Sequence, residues 1–225
     1  MKFLKTKNSK IPIFVNFNES DLPNLKKIVI SVHGYLSSKE SPTIVGLSNV
    51  LKTKSIGLLA FDLPRHGANK TELSIENCLN IFYHVENALR EFKKPICFFS
   101  SSFGAYLTLL YLSNNIEKYG EVVLRAPAIN CHDTFILLKK QGFRIDDTLL
   151  SQIKENSIFD IAHTIKERLH IIHGTQDKIV SINDINKLTA LLKCETYPFD
   201  TGHDFDGELL NLINLSIEIF TRCDS

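Results

Sequence analysis

The sequence lacks the features that mark several classes of protein. Its 225 residues include no tryptophan, one methionine and five cysteines, and the cysteines are scattered without a close pair. An odd number of dispersed cysteines argues against a disulfide framework and favours a reducing compartment. No apolar run is long enough to cross a bilayer, and the first five residues do not lead into the apolar core of a signal peptide. We therefore expect a cytoplasmic protein with no membrane partner.

An excess of charge is also missing. The 26 lysines and arginines nearly balance the 25 aspartates and glutamates, which leaves a net charge of +1 and no general attraction for nucleic acid. No pair of histidines or cysteines has the spacing of metal ligands, and no glycine-rich loop suits a nucleotide. We expect no nucleic-acid partner, no metal and no cofactor. The length of the chain fits a single domain over residues 1–225.

The N-terminal segment has the pattern of a β-hairpin. Residues 10–17 alternate apolar and polar side chains with the period of a half-buried strand, and Asn8-Ser9 is a plausible turn before them. Pro12 has no N–H to donate, which favours an edge position for the second strand of this hairpin.

Further along, short apolar runs rich in β-branched residues alternate with amphipathic segments, which predicts a mostly parallel α/β sheet with helices on both faces. The predicted strands cover residues 28–32, 56–61, 95–99, 121–126, 169–172 and 195–199. The predicted helices cover 42–52, 74–92, 105–117, 182–192 and 207–222. Residues 127–160 interrupt this alternation with two short amphipathic pieces, and we interpret them as a small lid or, alternatively, as a plain pair of crossover helices.

A serine-rich turn, residues 100–104, joins a buried strand to an apolar helix. A serine held at such a sharp turn exposes its hydroxyl, and the residues two before and two after it must be small. Ser102 meets this condition because Ser100 and Gly104 flank it, whereas large phenylalanines flank Ser101. The turn predicts Ser102 as a nucleophile, although a serine-rich helix N-cap fits the same residues.

A serine hydroxyl becomes a good nucleophile when a histidine takes its proton and a carboxylate orients that histidine. The chain supplies Asp177 and His203, each directly after a predicted strand, in the order Ser102, Asp177, His203. Ligands of parallel sheets bind at the carboxyl ends of the strands, where all three residues lie. We therefore predict a catalytic triad of these residues. Asp160, Asp200, Asp204 and Asp206 are rival acids.

This order resembles that of the α/β-hydrolase superfamily, and three further motifs resemble the family's loops. They are His33-Gly34-Tyr35, the stretch 62–67 of sequence Asp-Leu-Pro-Arg-His-Gly, and the stretch 173–177 of sequence His-Gly-Thr-Gln-Asp. The resemblance covers nearly the whole chain. It implies that the backbone N–H groups of Tyr35 and Phe103 form an oxyanion hole. We interpret His33, His66 and His173 as structural histidines that hold the neighbouring backbone of their loops.

The resemblance implies a serine hydrolase that cleaves a small-molecule ester or related acyl compound, most similar to small carboxylesterases with minimal caps. A serine peptidase or a thioesterase on the same triad is an alternative, and so is a ligand-binding relative with little turnover. The sequence departs from the family pattern at Ser100, Arg65 and Asn69. Ser100 is small enough for the turn, whereas Arg65 and Asn69 affect the expected shape of their loop.

Overall fold

The computed structural model describes residues 2–5, 10–115, 118–165 and 168–222, so the turn predicted at Asn8-Ser9 lies outside the described residues. Within these ranges the chain forms eight strands and eight α-helices. The strands are β1 (Lys2–Lys5), β2 (Lys10–Val15), β3 (Lys27–Val32), β4 (Ile56–Phe61), β5 (Ile96–Ser101), β6 (Val122–Arg125), β7 (Leu169–Gly174) and β8 (Glu195–Phe199). The helices are α1 (Pro42–Thr53), α2 (Ile75–Arg90), α3 (Phe103–Ser113), α4 (Cys131–Lys140), α5 (Asp147–Glu155), α6 (Ile158–Ile161), α7 (Ile182–Leu192) and α8 (Leu209–Thr221). None of these helices is long and apolar enough to cross a membrane.

All eight strands belong to one sheet, in the order β1-β2-β4-β3-β5-β6-β7-β8. β1 pairs with β2 and β2 pairs with β4 in antiparallel fashion, and every other neighbouring pair is parallel. This topology confirms the predicted α/β class, with a mostly parallel sheet and an N-terminal antiparallel hairpin.

The central strands are buried on both faces because helices cover both sides of the sheet. In β3, Ile28, Ile30 and Val32 join the core under α2 to α7, whereas Val29 joins the core under α1 and α8. β5 alternates in the same way, and every residue of the strand is buried. This two-sided burial explains why these strands are continuous apolar runs instead of alternating apolar and polar residues.

The edge position predicted for the strand that contains Pro12 is wrong. β2 lies between β1 and β4, and β1 is the outer strand of the hairpin. Proline is tolerated at this inner position because the pairing of β2 with β4 covers only Ile13–Val15. Beyond that pairing, the carbonyl of Pro12 accepts a hydrogen bond from the N–H of Asp62. This contact needs only the backbone acceptor that proline retains, and not the N–H that it lacks.

The segment between β6 and β7 contains α4, α5, α6 and a short 3₁₀ turn at Ala162–Thr164. α4 and α5 correspond to the two predicted pieces. The four-residue α6 was not predicted because one helical turn is too short to show periodicity. The segment packs on α3 through Tyr106, whose hydroxyl donates to the carbonyl of Asn156 at 3.0 Å. The lid role of residues 127–160 and the single-domain organisation stay predictions.

Helix α3 follows the serine-rich turn and ends at Ser113, four residues earlier than predicted. Its residues 103–112 are all buried, so α3 lies within the molecule instead of along its surface. The predicted end, Glu117, lies outside the described residues.

Candidate active site

Ser102 occupies the turn between β5 and α3 in a strained conformation. Its backbone has φ 50° and ψ −117°, which residues with a side chain rarely adopt. The Ser102 N–H donates to the carbonyl of Arg125 at 2.9 Å, and the Ser102 carbonyl accepts from Ala105 and Tyr106 at the start of α3. These backbone bonds hold the strained turn in place.

The small residues on either side of Ser102 are required for different reasons. A Cβ at Gly104 would lie 2.3 Å from the carbonyl oxygen of His33 and 2.7 Å from that of Val32, so the end of β3 excludes a side chain there. Ser100 places its hydroxyl 2.7 Å from that of Thr108, in the second turn of α3, which satisfies a polar group that is fully buried.

Asp177 is held in the loop after β7 with no side-chain exposure. One carboxylate oxygen, Oδ1, accepts from the N–H groups of Ile179 and Val180 at 2.8 and 2.9 Å, and the other, Oδ2, lies 2.7 Å from Nδ1 of His203. Burial alone would raise the pKa of Asp177, but the hydrogen bond and charge of His203 and the two N–H donors together lower it. The carboxylate is therefore ionised and acts as an acceptor at every contact.

His203 lies between this carboxylate and the serine. Its Nδ1 donates to Asp177, which leaves Nε2 as the acceptor, and Nε2 lies 3.2 Å from Oγ of Ser102. The residues come from three separate loops, after β5, β7 and β8, that meet at the carboxyl edge of the sheet. The structure thus brings the three sequence-predicted residues into one line of hydrogen bonds, in the arrangement that transfers a proton from a serine to a histidine.

Two backbone N–H groups beside Ser102 have no hydrogen-bond partner among the described residues. One belongs to Phe103, the first residue of α3, and the other to Tyr35, in the loop after β3. Gly34 brings that loop against the serine, because a Cβ at Gly34 would lie only 3.3 Å from Cβ of Ser102. An unpaired N–H at a helix N-terminus attracts negative charge, and the two groups are the ones predicted for the oxyanion hole.

His33 connects the loop after β3 to the loop after β4. Its Nδ1 donates to the carbonyl of Gly34 at 2.8 Å, and its Nε2 accepts from the N–H of Leu63 at 3.0 Å. Burial lowers the pKa of His33 to about 4, so the ring is neutral, as its acceptor role at Nε2 requires.

Asp62 organises the loop that follows β4. Its buried carboxylate accepts from the N–H of Lys39 at 3.0 Å, from the Lys39 ammonium at 2.9 Å and from the N–H of Ala68 at 2.9 Å. Burial alone would raise the pKa of Asp62, but these donors lower it. A Cβ at Gly67 would lie 2.4 Å from the same carboxylate, so glycine is required there. Sequence inspection missed Lys39 because nothing local to it signals a partner 23 residues away.

Asn69 and Arg65, the two residues of this loop that depart from the family pattern, both fit into the loop after β4. Asn69 donates from Nδ2 to the carbonyl of Asp62 at 3.0 Å and accepts from the N–H of Thr71, so it stabilises the loop. Arg65 has a left-handed backbone, with φ 63°, where glycine would be unstrained. Its side chain is exposed and lines a cavity beside Tyr35.

Arg125, at the end of β6, is a functional candidate that the sequence did not reveal. Its Nη2 donates to the carbonyl of His203 at 2.7 Å, and its guanidinium lies 4.9 Å from the centre of the Phe205 ring. Its Nε is buried without a hydrogen-bond partner among the described residues. Burial lowers the pKa of Arg125, and the negative charges of Asp204, Asp177 and Asp206 oppose that effect. Arg125 therefore fixes the loop that carries His203.

Among the described residues, none of the rival acids and none of the other histidines is hydrogen-bonded to the His203 ring. Asp160, Asp200, Asp204 and Asp206 are exposed, and the described hydrogen bonds of the His203 ring go to Asp177 and Ser102. His170 is buried with its Nε2 2.6 Å from Glu121, near the opposite ends of the strands. The described residues contain no group of three or more acidic, histidine or cysteine side chains that could hold a metal ion.

Two cavities adjoin the site and share Tyr35 in their linings. The first, of about 510 Å³, contains Ser102, Arg125, His203 and residues 204–207 in its wall. The second, of about 460 Å³, lies between the loop after β4 and the α4–α5 region, and its wall includes Arg65, His66, Arg144 and Leu149. Both walls combine polar and apolar side chains.

Comparisons with known proteins identify the fold. No protein-family model and no curated protein matches the sequence. Solved structures match along almost the whole chain: Est1E from Butyrivibrio proteoclasticus, solved with ferulic acid bound, has a TM-score of 0.84 at 15% identity and covers 99% of this chain and 100% of its own. An esterase from Pyrococcus furiosus has a TM-score of 0.80 at 20% identity, with coverages of 100% and 92%. A monoacylglycerol lipase from Paleococcus ferrophilus has a TM-score of 0.72 at 17% identity, with coverages of 93% and 98%. The chain therefore has the α/β-hydrolase fold, which confirms the resemblance drawn from its motifs.

Proposed function

We propose that this chain is a serine hydrolase that cleaves a small carboxylic ester through a covalent acyl-enzyme, with Ser102, His203 and Asp177 as its catalytic triad. The observation that carries the proposal is the line of hydrogen bonds from Asp177 through His203 to Ser102, at 2.7 and 3.2 Å. The strained backbone of Ser102 supports it further, because such strain is typical of nucleophiles at this kind of turn.

In the proposed reaction, Oγ of Ser102 attacks the carbonyl carbon of the ester while Nε2 of His203 takes its proton. The carbonyl π bond breaks and its electrons move to the oxygen, which becomes an oxyanion. When that oxyanion collapses, the bond to the alcohol breaks, and His203 donates its proton to the leaving oxygen. Water then repeats the sequence on the acyl-enzyme, releases the acid and restores Ser102. Asp177 keeps Nδ1 protonated and stabilises the imidazolium throughout.

The N–H groups of Tyr35 and Phe103 are proposed to stabilise the oxyanion. Both are without a partner among the described residues, so neither has to break a protein hydrogen bond before it donates to substrate. One such donor typically contributes about 3–4 kcal/mol to transition-state stabilisation.

A small ester is the substrate class that the two cavities support best. Their walls carry both charged and apolar side chains, which suits a compact, partly polar molecule better than a long aliphatic chain. The neighbours named as an esterase and a monoacylglycerol lipase support ester hydrolysis in general. The cytoplasmic location stays a prediction from the cysteine content.

The test combines covalent labelling with turnover. The purified protein is treated with a fluorophosphonate probe, the labelled residue is located by peptide mass spectrometry, and hydrolysis of p-nitrophenyl acetate is followed in parallel. We expect labelling at Ser102 together with turnover. Ser102→Ala should lose both while its circular dichroism spectrum and unfolding midpoint stay close to those of the parent protein.

Ser101→Ala is the matched control, because Ser101 lines the same cavity and differs from Ser102 by one position. It should retain labelling and turnover. Labelling at another residue, or undiminished turnover in Ser102→Ala, would overturn the assigned nucleophile. Turnover of a thioester or an anilide at rates far above that of the ester would assign the site to a thioesterase or a peptidase.

A further inference from the structure

Tyr35 lies between the two cavities that adjoin the candidate active site. It contributes to the wall of the 510 Å³ cavity that contains Ser102 and to the wall of the 460 Å³ cavity beside Arg65 and Arg144. The side chain is half-buried, so the ring is part of the molecular surface at this point and not of the core.

The Tyr35 ring is anchored on several sides. Its centroid lies 4.9 Å from that of Phe135 in α4, 5.4 Å from that of His66 and 6.2 Å from that of Phe103. Its hydroxyl donates to the carbonyl of Arg144 at 3.0 Å. These contacts join the loop after β3 to the segment 127–160 and hold the phenol ring in one orientation between the cavities.

The proposed chemistry indicates which part of a substrate approaches this ring. His203 must reach the leaving oxygen to protonate it, so the alcohol portion lies on the His203 side, in the 510 Å³ cavity. The acyl portion extends from the carbonyl carbon away from His203. The described wall of the 460 Å³ cavity does not include His203 but does include Tyr35, which places that cavity on the acyl side.

We propose that the side chain of Tyr35 sets the length of the acyl group that the enzyme accepts, by separating the serine cavity from the 460 Å³ cavity. A short acyl group fits in front of the ring, whereas a longer one meets it. Removal of the ring would join the two cavities and give a longer acyl chain a second compartment. This inference rests on the proposed function and assigns a specificity role to the side chain of a residue whose backbone N–H is proposed for the oxyanion hole.

The test measures kcat/KM for p-nitrophenyl esters from acetate to decanoate in the parent protein, Tyr35→Ala and Tyr35→Phe. We expect the parent to prefer the short esters. In Tyr35→Ala the preference should move to longer chains, because each methylene that becomes buried is worth about a fourfold gain in kcat/KM. The ratio of octanoate to acetate activity should rise at least about tenfold, which about two newly buried methylenes are enough to produce.

Tyr35→Phe separates the ring from its hydroxyl. It keeps the ring between the cavities and removes only the hydrogen bond to Arg144, so its chain-length profile should match that of the parent. Leu191→Ala is a second control, because Leu191 lies in α7, is 59% exposed and is not among the residues that line either cavity. It should also keep the parent profile.

The outcomes distinguish this inference from the proposed function. If the parent hydrolyses esters but Tyr35→Ala keeps the parent profile, the division by the ring is wrong while the hydrolase assignment stands. A shift in Tyr35→Phe as large as that in Tyr35→Ala would assign the length limit to the hydrogen bond and would also overturn the role of the ring. If the folded parent neither hydrolyses an ester nor reacts at Ser102, the proposed function itself fails. Should Tyr35→Ala not fold, Tyr35→Leu replaces it, with the same shift expected at a smaller size.

Discussion

Replacing Asp177 with asparagine is a stringent test of the candidate triad, because the surrounding hydrogen bonds dictate how the amide must orient. The N–H groups of Ile179 and Val180 both donate to Oδ1, so the amide oxygen has to stay at that position. The NH₂ group then faces Nδ1 of His203 and donates to it. The ring is forced into the tautomer with its proton on Nε2, which cannot take the proton of Ser102.

The expected loss in kcat is about 10⁴-fold, the size seen when the carboxylate of a serine-protease triad becomes an amide. At 1.36 kcal/mol for each tenfold change, this loss corresponds to about 5.4 kcal/mol of transition-state stabilisation. The assay is turnover of p-nitrophenyl acetate, with the protein concentration fixed by absorbance and the folded state checked by circular dichroism. KM should change far less than kcat, because Asp177 is fully buried behind His203 and does not contact substrate.

Asp177→Asn should also change how the free energy of unfolding depends on pH. The pKa of Asp177 is lower in the folded than in the unfolded protein, so its charged form contributes stability above the unfolded value of about 3.9, and this contribution disappears as the pH falls through the folded value. Asp177→Asn should lack that part of the acid dependence of unfolding. Asp200→Asn is the control, because Asp200 is exposed and bonds only with Thr175 and Gln176 among the described residues. A loss below tenfold in Asp177→Asn, or an equal loss in Asp200→Asn, would refute the assignment of the acid.

Three further changes test other parts of the structure. Gly104→Ala should lower the free energy of unfolding, measured in urea, by about 3 kcal/mol or more, because its Cβ would lie 2.3 Å from the His33 carbonyl oxygen. A Cβ at Gly202 has no atom within 4 Å, so the free energy of unfolding of Gly202→Ala should stay within about 0.5 kcal/mol of the parent value. Arg125→Met should lower the free energy of unfolding by about 2 kcal/mol and kcat at least tenfold, because the hydrogen bond to the His203 carbonyl is lost; unfolding and ester turnover measure the two effects. The parent protein should lose at least roughly 3 kcal/mol of stability as the pH falls from about 6.5 to about 4, because the unfolded chain protonates His33 more readily than the folded protein, and the lowered pKa values of His66 and His173 act in the same direction; the urea midpoint against pH measures this loss.

Each of these expectations has a contradicting result. Equal midpoints for the two glycine variants would mean that the end of β3 yields easily to a side chain. An Arg125→Met protein with full turnover would show that the His203 loop keeps its place without the guanidinium. A midpoint that stays constant between pH 6.5 and 4 would mean that His33 takes up its proton in the folded state.

Much of the architecture could be predicted from the sequence because it depends on local patterns. Continuous apolar runs identify strands buried on both faces, and steps of three and four identify α2 and α8. Ser102 could be singled out because backbone sterics at a sharp turn limit its neighbours, and the order of Ser102, Asp177 and His203 could be recognised because each follows a strand. These features depend on residues that are close in the chain or on strand ends that a parallel sheet brings to one edge.

Other features were decided by the tertiary structure alone, because they join residues that are distant in sequence. β2 lies inside the sheet because β4, which is distant in sequence, pairs along the side of β2 that the hairpin partner β1 leaves open. The carbonyl groups at the end of β3 make Gly104 necessary. Arg125 reaches the carbonyl of a residue 78 positions away, and Tyr35 reaches one 109 positions away. Local periodicity carries no information about such partners, since their distance and direction are set by the way the helices and loops pack on the finished sheet.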